Sequence, residues 1–223
     1  NTTVKNVTFI GGVNQVDATF TASSNRTTLS ECIFNVTGNV TSGVTTNGRV
    51  TTNSTFNVDN EGTAIIASNG GLTATSAIIN GTSGTGAGVS VSGNGSTTIT
   101  SSQFNNLGNN ALANAGIGSV SVSGSIFNGS GNATATSSTA NGVITASGAG
   151  DLILISNTIS NTAAASYGLY VSGGNVTARF NSITNSKNVK RTSGTADAVN
   201  NWWGSANGPV SDSLSGTVAT TPY

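Results

Sequence analysis

The chain is 223 residues long, and its seven Lys/Arg balance its seven Asp/Glu at a formal net charge of zero, with only 6% of residues charged. That balance excludes the basic footprint of a nucleic-acid-binding protein and a polybasic attachment to anionic lipid. There is no histidine and a single cysteine, Cys32, which removes His-based triads, imidazole acid–base chemistry, an internal disulfide framework and multi-Cys zinc sites.

Gly, Ser, Thr and Asn take the place that Lys and Glu usually hold, yet hydrophobic residues make up 35% of the chain. They are spread evenly, which argues for a packed core rather than disorder. β-Branched Val, Ile and Thr abound while straight-chain helix formers are scarce, so the chain reads as all-β. Its apolar runs are only a few residues long, too short to span a bilayer. No secretory apolar segment is visible, and the chain reads as mature or excised.

Taken in chain order, one segment recurs with an aromatic or aliphatic anchor. The segments are VKNVTF, LSECIFN, VTTNSTFN, TATSAIIN, ITSSQFN, VSGSIFN, LISNTISN, ARFNSITN and VNNWWG. Their anchors are Phe9, Phe34, Phe56, Ile79, Phe104, Phe127, Ile159, Ile183 and Trp203, separated by 25, 22, 23, 25, 23, 32, 24 and 20 residues. A second series of turn glycines, Gly48, Gly70, Gly93, Gly116, Gly148 and Gly173, is spaced by 22, 23, 23, 32 and 25. Both series contain one long interval. The two overlap between Phe127 and Gly148, which places one loop insertion near 128–141, at GSGNATATSSTA.

A period of about 24 residues fits a coil of three short strands better than a leucine-rich repeat, whose Leu and Asn positions are missing, or a propeller blade of roughly 40 residues. No coil buries its inward face alone, whereas stacking at about 4.8 Å per coil makes a continuous core. The expectation is therefore one domain over 1–223, an all-β, single-stranded right-handed parallel β-helix (solenoid). It should have about nine coils and a length of roughly 40 Å at that spacing.

Within a coil the anchor and the residues two and five before it are expected to point inward. The column two before the anchor is small or polar, running Val7, Cys32, Ser54, Ala77, Ser102, Ser125, Asn157, Asn181 and Asn201. Cys32 reads there as an inert buried residue. Directly after the anchor, Asn35, Asn57, Asn80, Asn105 and Asn128 form a column read as an asparagine ladder at a bend, since Asn tolerates the left-handed conformation of a sharp turn.

The rung, the turn glycines and the closing VNNWWGSANGP of Val199 to Pro209 together resemble the pectate-lyase-like right-handed β-helix superfamily. The closing NNWWGxxxGP rung is similar to one in large secreted and cell-surface β-helix proteins of bacteria and archaea. The resemblance implies a β-helix and an extracellular or cell-surface setting. It also brings relatives that are polysaccharide lyases or hydrolases, built on stacked acidic residues around Ca²⁺ or on Asp pairs.

No such constellation is legible among Asp17, Glu31, Asp59, Glu61, Asp151, Asp197 and Asp212. Asp59 and Glu61 share one bend without a carboxylate stacked above or below. We therefore expect no catalytic residue, metal or cofactor. Arg179, Lys187, Lys190 and Arg191 gather basic charge, and SKNVKRTSGT reads as a solvated loop. Trp202, Tyr167 and Tyr170 are candidates for stacking on sugar rings. Outward pairs Thr28 and Ser30, Thr73 and Thr75, Thr98 and Thr100, Ser121 and Ser123 form ranks resembling those of ice-binding proteins, interrupted by Val50, Ile153 and Ile155. Among the N-x-S/T sequons, Asn94 and Asn132 are the leading glycosylation candidates, followed by Asn6, Asn25, Asn39, Asn53 and Asn175. Those in the ladder, Asn35, Asn80 and Asn128, should be less accessible.

The leading functional expectation is a non-catalytic structural or adhesive surface protein that self-associates end to end into a filament or sheath. Cell-surface glycans are candidate partners; nucleic acid and a membrane span are not. A polysaccharide-binding or polysaccharide-degrading β-helix is the alternative, and an ice-binding protein the third reading.

Overall fold

The computed structural model describes residues 1–10, 14–18, 26–37, 41–59, 62–81, 86–129, 142–160, 166–185, 187–209 and 214–221, with backbone alone at 14–18 and 214. Among them there is no helix. The chain is a right-handed parallel β-solenoid, and among the described residues its three sheets hold nine, eight and nine strands. The first sheet runs from Thr2–Lys5 through strands such as Arg49–Thr52 and Thr97–Thr100 to Thr195–Asp197. The second runs from Thr8–Ile10 to Ser182–Ile183, and the third from Asn14–Ala18 to Leu214–Ser215. The expected insertion near 128–141 falls largely outside the described residues. Its flanking strands, Ile126–Asn128 and Gly142–Ala146, pair in parallel with neighbours on both sides.

Because the strands are parallel, each inward residue rests on the residue at the same place one coil away. Phe34 pairs with both Phe9 and Phe56, and Phe104 with Phe127. Strand spacing alone sets the ring separation, and the stacked rings lie 4.5–4.7 Å apart, tilted by 5–11°. Ile79 occupies the same row between Phe56 and Phe104. Phe34, Phe56, Ile79, Phe104, Phe127, Ile159 and Ile183 are fully buried and Trp203 nearly so, while Phe9, in the first row, is partly buried.

The first and second sheets meet at a corner that is two residues long in each of the eight coils from Lys5/Thr8 to Arg179/Ser182. Its first residue takes a left-handed conformation at Asn6, Glu31, Ser76, Ser101, Gly124, Ser156, Phe180 and Asn200, with φ between 49° and 58°. That conformation costs a non-glycine residue about 1–2 kcal/mol, so the hydrogen bonds around it must hold it. The second corner residue turns inward, and its side chain accepts the N–H of the equivalent residue one coil back. Ser54 Oγ accepts from Cys32 N–H at 3.1 Å, and Ser125 Oγ accepts from Ser102 N–H at 3.1 Å. Farther along, Asn157, Asn181 and Asn201 do the same through Oδ1 at 2.8–2.9 Å. Each of these Asn amides also returns a proton to a main-chain carbonyl, that of Val122, Leu154 or Ala178. Ala77 offers no acceptor, and there Ser54 N–H turns to Thr52 Oγ1 instead. Cys32 is a buried member of this column, its Sγ 3.4–3.5 Å from the carbonyls of Ser30 and Val4.

Two stability outcomes follow. Phe104→Ala removes a fully buried ring from the stacked row and should cost about 3–5 kcal/mol in denaturant unfolding. Asn181→Ala strands the buried Asn157 N–H and should cost about 1–3 kcal/mol. Asn181→Ser restores an acceptor of the kind Ser125 supplies and should recover part of that loss; equal losses for Ala and Ser would refute the capping role.

Candidate functional site

A surface feature lies where the third sheet hands the chain back to the first. It is a groove of about 570 Å³ spanning several coils, with Arg26 and Arg49 on one wall. The two arginines sit in neighbouring parallel strands in direct register, and both are exposed. Thr51, Thr73 and Thr98 line the first-sheet side and Asn47 and Asn69 the turn side. The floor is glycine. A Cβ on Gly70 would lie 1.7 Å from the Gly48 carbonyl oxygen, and one on Gly95 2.2 Å from that of Gly70. No side chain fits between backbones this close, so the turn-glycine column found in the sequence creates a recess.

The outer face of the first sheet continues from this groove as a rank in register: Thr3, Thr28, Thr51, Thr73, Thr98, Ser121, Ile153 and Thr177. Val50 does not interrupt it. The register sets Val50 opposite Thr27 and Leu72 on the buried side, and the one-residue offset leaves Thr51 outside. Ile153 and Ile155 are exposed interruptions.

On the second sheet the asparagine column is present but not at a bend. Asn35, Asn57, Asn80, Asn105 and Asn128 lie within strands, none with positive φ. Asn57 Nδ2 donates to Asn35 Oδ1 at 3.0 Å, Asn80 to Asn57 at 3.2 Å and Asn105 to Asn80 at 3.0 Å. The left-handed residues are those of the Asn6 column and, one place after the ladder, Asn106 and Gly129. Asn128 is exposed rather than shielded, and Ser160 Oγ lies 3.4 Å from its Oδ1.

The basic C-terminal residues also differ from their reading as a loop. Val189–Arg191 is a strand of the third sheet. There Lys190 Nζ lies 5.5–5.6 Å from the Tyr167 and Tyr170 rings, and Lys187 Nζ lies 5.6 Å from Tyr167. Tyr170 is only 9% exposed, too covered to stack on a sugar. Trp202 is exposed but bridges to Ser182 of the second sheet, so the three aromatics share no platform. Arg179 pairs with Asp197, and Lys5 with Glu31.

Among the described residues no group of three or more His, Cys, Asp or Glu is placed to hold a metal. Glu61 and Asp212 lie outside those residues, as do the sequons Asn25, Asn39 and Asn132. Of the remaining sequons, Asn6 and Asn94 are exposed. Asn53 is exposed, with Oδ1 accepting Glu31 N–H. Asn175 donates to Asp151 and accepts from Thr195. Sequence reasoning missed the groove because Arg26 and Arg49 are 23 positions apart in the chain; the equal spacing of the repeat around them was the signal that could have paired them.

Comparison with family models, with curated proteins and with solved structures finds no match.

The sequon geometry gives a measurable outcome. In a glycosylating host, glycopeptide mass spectrometry should find Asn94 occupied and Asn80 bare, because the Asn80 amide nitrogen is already committed to Asn57. Full occupancy of Asn80 in folded protein would contradict the ladder.

Proposed function

We propose that the chain is a non-catalytic structural rod of an extracellular or cell-surface assembly, with an adhesive role, and that it joins end to end with further β-coils. The observation that carries this reading is the in-register stack, in which each inward residue rests on its equivalent one coil away, as Phe34 does on Phe9 and Phe56. Ile10 is 77% exposed and Val7 39%, beside a Phe9 that is only partly buried although it stacks on Phe34 at 4.6 Å. The strands Thr2–Lys5 and Thr8–Ile10 are each the last in their sheets, so one side of each is an unpaired edge. Such an edge is a template for another strand.

The even, nearly uncharged surface and the in-register stacking support a load-bearing element. The closing NNWWG rung, Asn200 to Gly204, adds its resemblance to surface β-helix proteins of the pectate-lyase-like superfamily. Its geometry suits a structural role, since Trp203 continues the anchor row at 5% exposure and Asn201 closes the corner spine.

A second reading, polysaccharide binding, is favoured by the polar groove at Arg26 and Arg49. Ice binding remains a third, resting on the threonine rank.

Sedimentation and negative-stain electron microscopy over a concentration series test the rod. Linear stacks that lengthen with concentration are expected, and Ile10→Lys, which places a charge at the open rung, should shift them toward monomers. Dispersed monomers at the highest concentration would overturn self-association.

A further inference from the structure

We propose that the groove at the corner of the third and first sheets binds a sulfate or phosphate ester carried on a carbohydrate chain, with Arg26 and Arg49 sharing the oxyanion. The proposal deepens the adhesive part of the reading above and does not require end-to-end stacking.

Charge comes first. Arg26 and Arg49 face each other across one strand pair, about 4.8 Å apart at the backbone. Like charges directly opposite one another in a sheet are destabilising. The ion pairs among the described residues are Lys5–Glu31 and Arg179–Asp197, so neither groove arginine has a carboxylate partner there. Guanidinium cannot shed its proton to relieve the repulsion, whereas an anion bound between the two relieves it.

Shape and lining narrow the ligand. The recess is kept open at Gly70 and Gly95, where the neighbouring backbone leaves no room for a Cβ. Hydroxyls of Thr51, Thr73 and Thr98 and amides of Asn47 and Asn69 supply both donors and acceptors, as a polyhydroxylated chain requires. A peptide would be read along a free strand edge or in an apolar groove. Here Arg49–Thr52 is paired on both sides and the lining is polar. Two cations on a chain of zero net charge cannot track a nucleic-acid backbone.

The number of donors distinguishes among anions. One guanidinium fork matches the two oxygens of a carboxylate. Two forks on adjacent strands approach from two directions and match the three terminal oxygens of a tetrahedral sulfate or phosphate monoester better than the two coplanar oxygens of a carboxylate. The tetrahedral ester is therefore preferred over a uronate.

The test uses the full chain immobilised for biolayer interferometry, with dextran sulfate, a phosphorylated mannan, polygalacturonate and neutral dextran as probes. Binding to one or both ester polymers is expected, weakening as salt rises. Polygalacturonate should bind about tenfold more weakly, and neutral dextran not at all. Arg26→Gln and Arg49→Gln should each lower affinity about tenfold, and together abolish binding, at unchanged melting temperature. Lys187→Gln with Lys190→Gln, on the third sheet, should leave affinity within about twofold. No binding to either ester polymer overturns the proposal, as does a double arginine variant that binds like the parent or a polygalacturonate affinity equal to that of the esters. Electron microscopy reads the rod regardless of these results, so failure of the site and failure of the rod are distinguishable.

Discussion

In a parallel stack without offset, every residue rests on the residue that occupies the same place in the next coil, and the rest of this structure depends on that constraint. Each column must be compatible with itself. Phe tolerates Phe, because face-to-face rings at 4.5–4.7 Å fit the spacing of neighbouring strands. Asn tolerates Asn, because one amide carries a donor and an acceptor that point to opposite neighbours. Charged residues tolerate their own kind least, which gives a physical reason for so few of them in a chain of this length.

The corner between the first and second sheets solves a different problem. A two-residue turn through the left-handed region leaves main-chain N–H groups pointing along the stack, inside the protein, where an unpaired donor costs about 1–3 kcal/mol. The inward Ser and Asn column supplies the acceptors and sends its own protons back to main-chain carbonyls. The drift along the column from Cys and Ser toward Asn keeps one acceptor in nearly every rung. Where Ala77 breaks the rule, Thr52 takes over. The third-to-first corner has the opposite requirement. At Gly70 and Gly95 the neighbouring backbone is too close for a Cβ, and these glycines line the groove beside Arg26 and Arg49.

A protein made this way has surfaces that are periodic by construction. One hydroxyl rank and one amide rank run along the stack, and glycines line the groove at Arg26 and Arg49. Chemical differences between one coil and the next then come from departures from the repeat. The adjacent arginines are such a departure, and so is the Lys187, Lys190 and Tyr167 cluster on the third sheet.

The sequence by itself determined the solenoid, because a column that must match itself in space repeats itself in the chain. The anchors Phe34, Phe56 and Phe104 and the glycines Gly70 and Gly93 were therefore legible as periodic residues. Periodicity reports which residues stack, but it does not report which way they face when a strand slips by one position. Val50 went inside and Thr51 outside for that reason. The asparagines after the anchors proved to be strand residues with no positive φ of their own; left-handed steps fall three residues before the anchor, at Asn6 and Ser76, and in two coils one place after the asparagine, at Asn106 and Gly129. Only the tertiary structure placed Arg26 beside Arg49 and laid Lys190 over Tyr167 and Tyr170. Those contacts join different coils, and their geometry depends on the register between strands and the room each corner leaves.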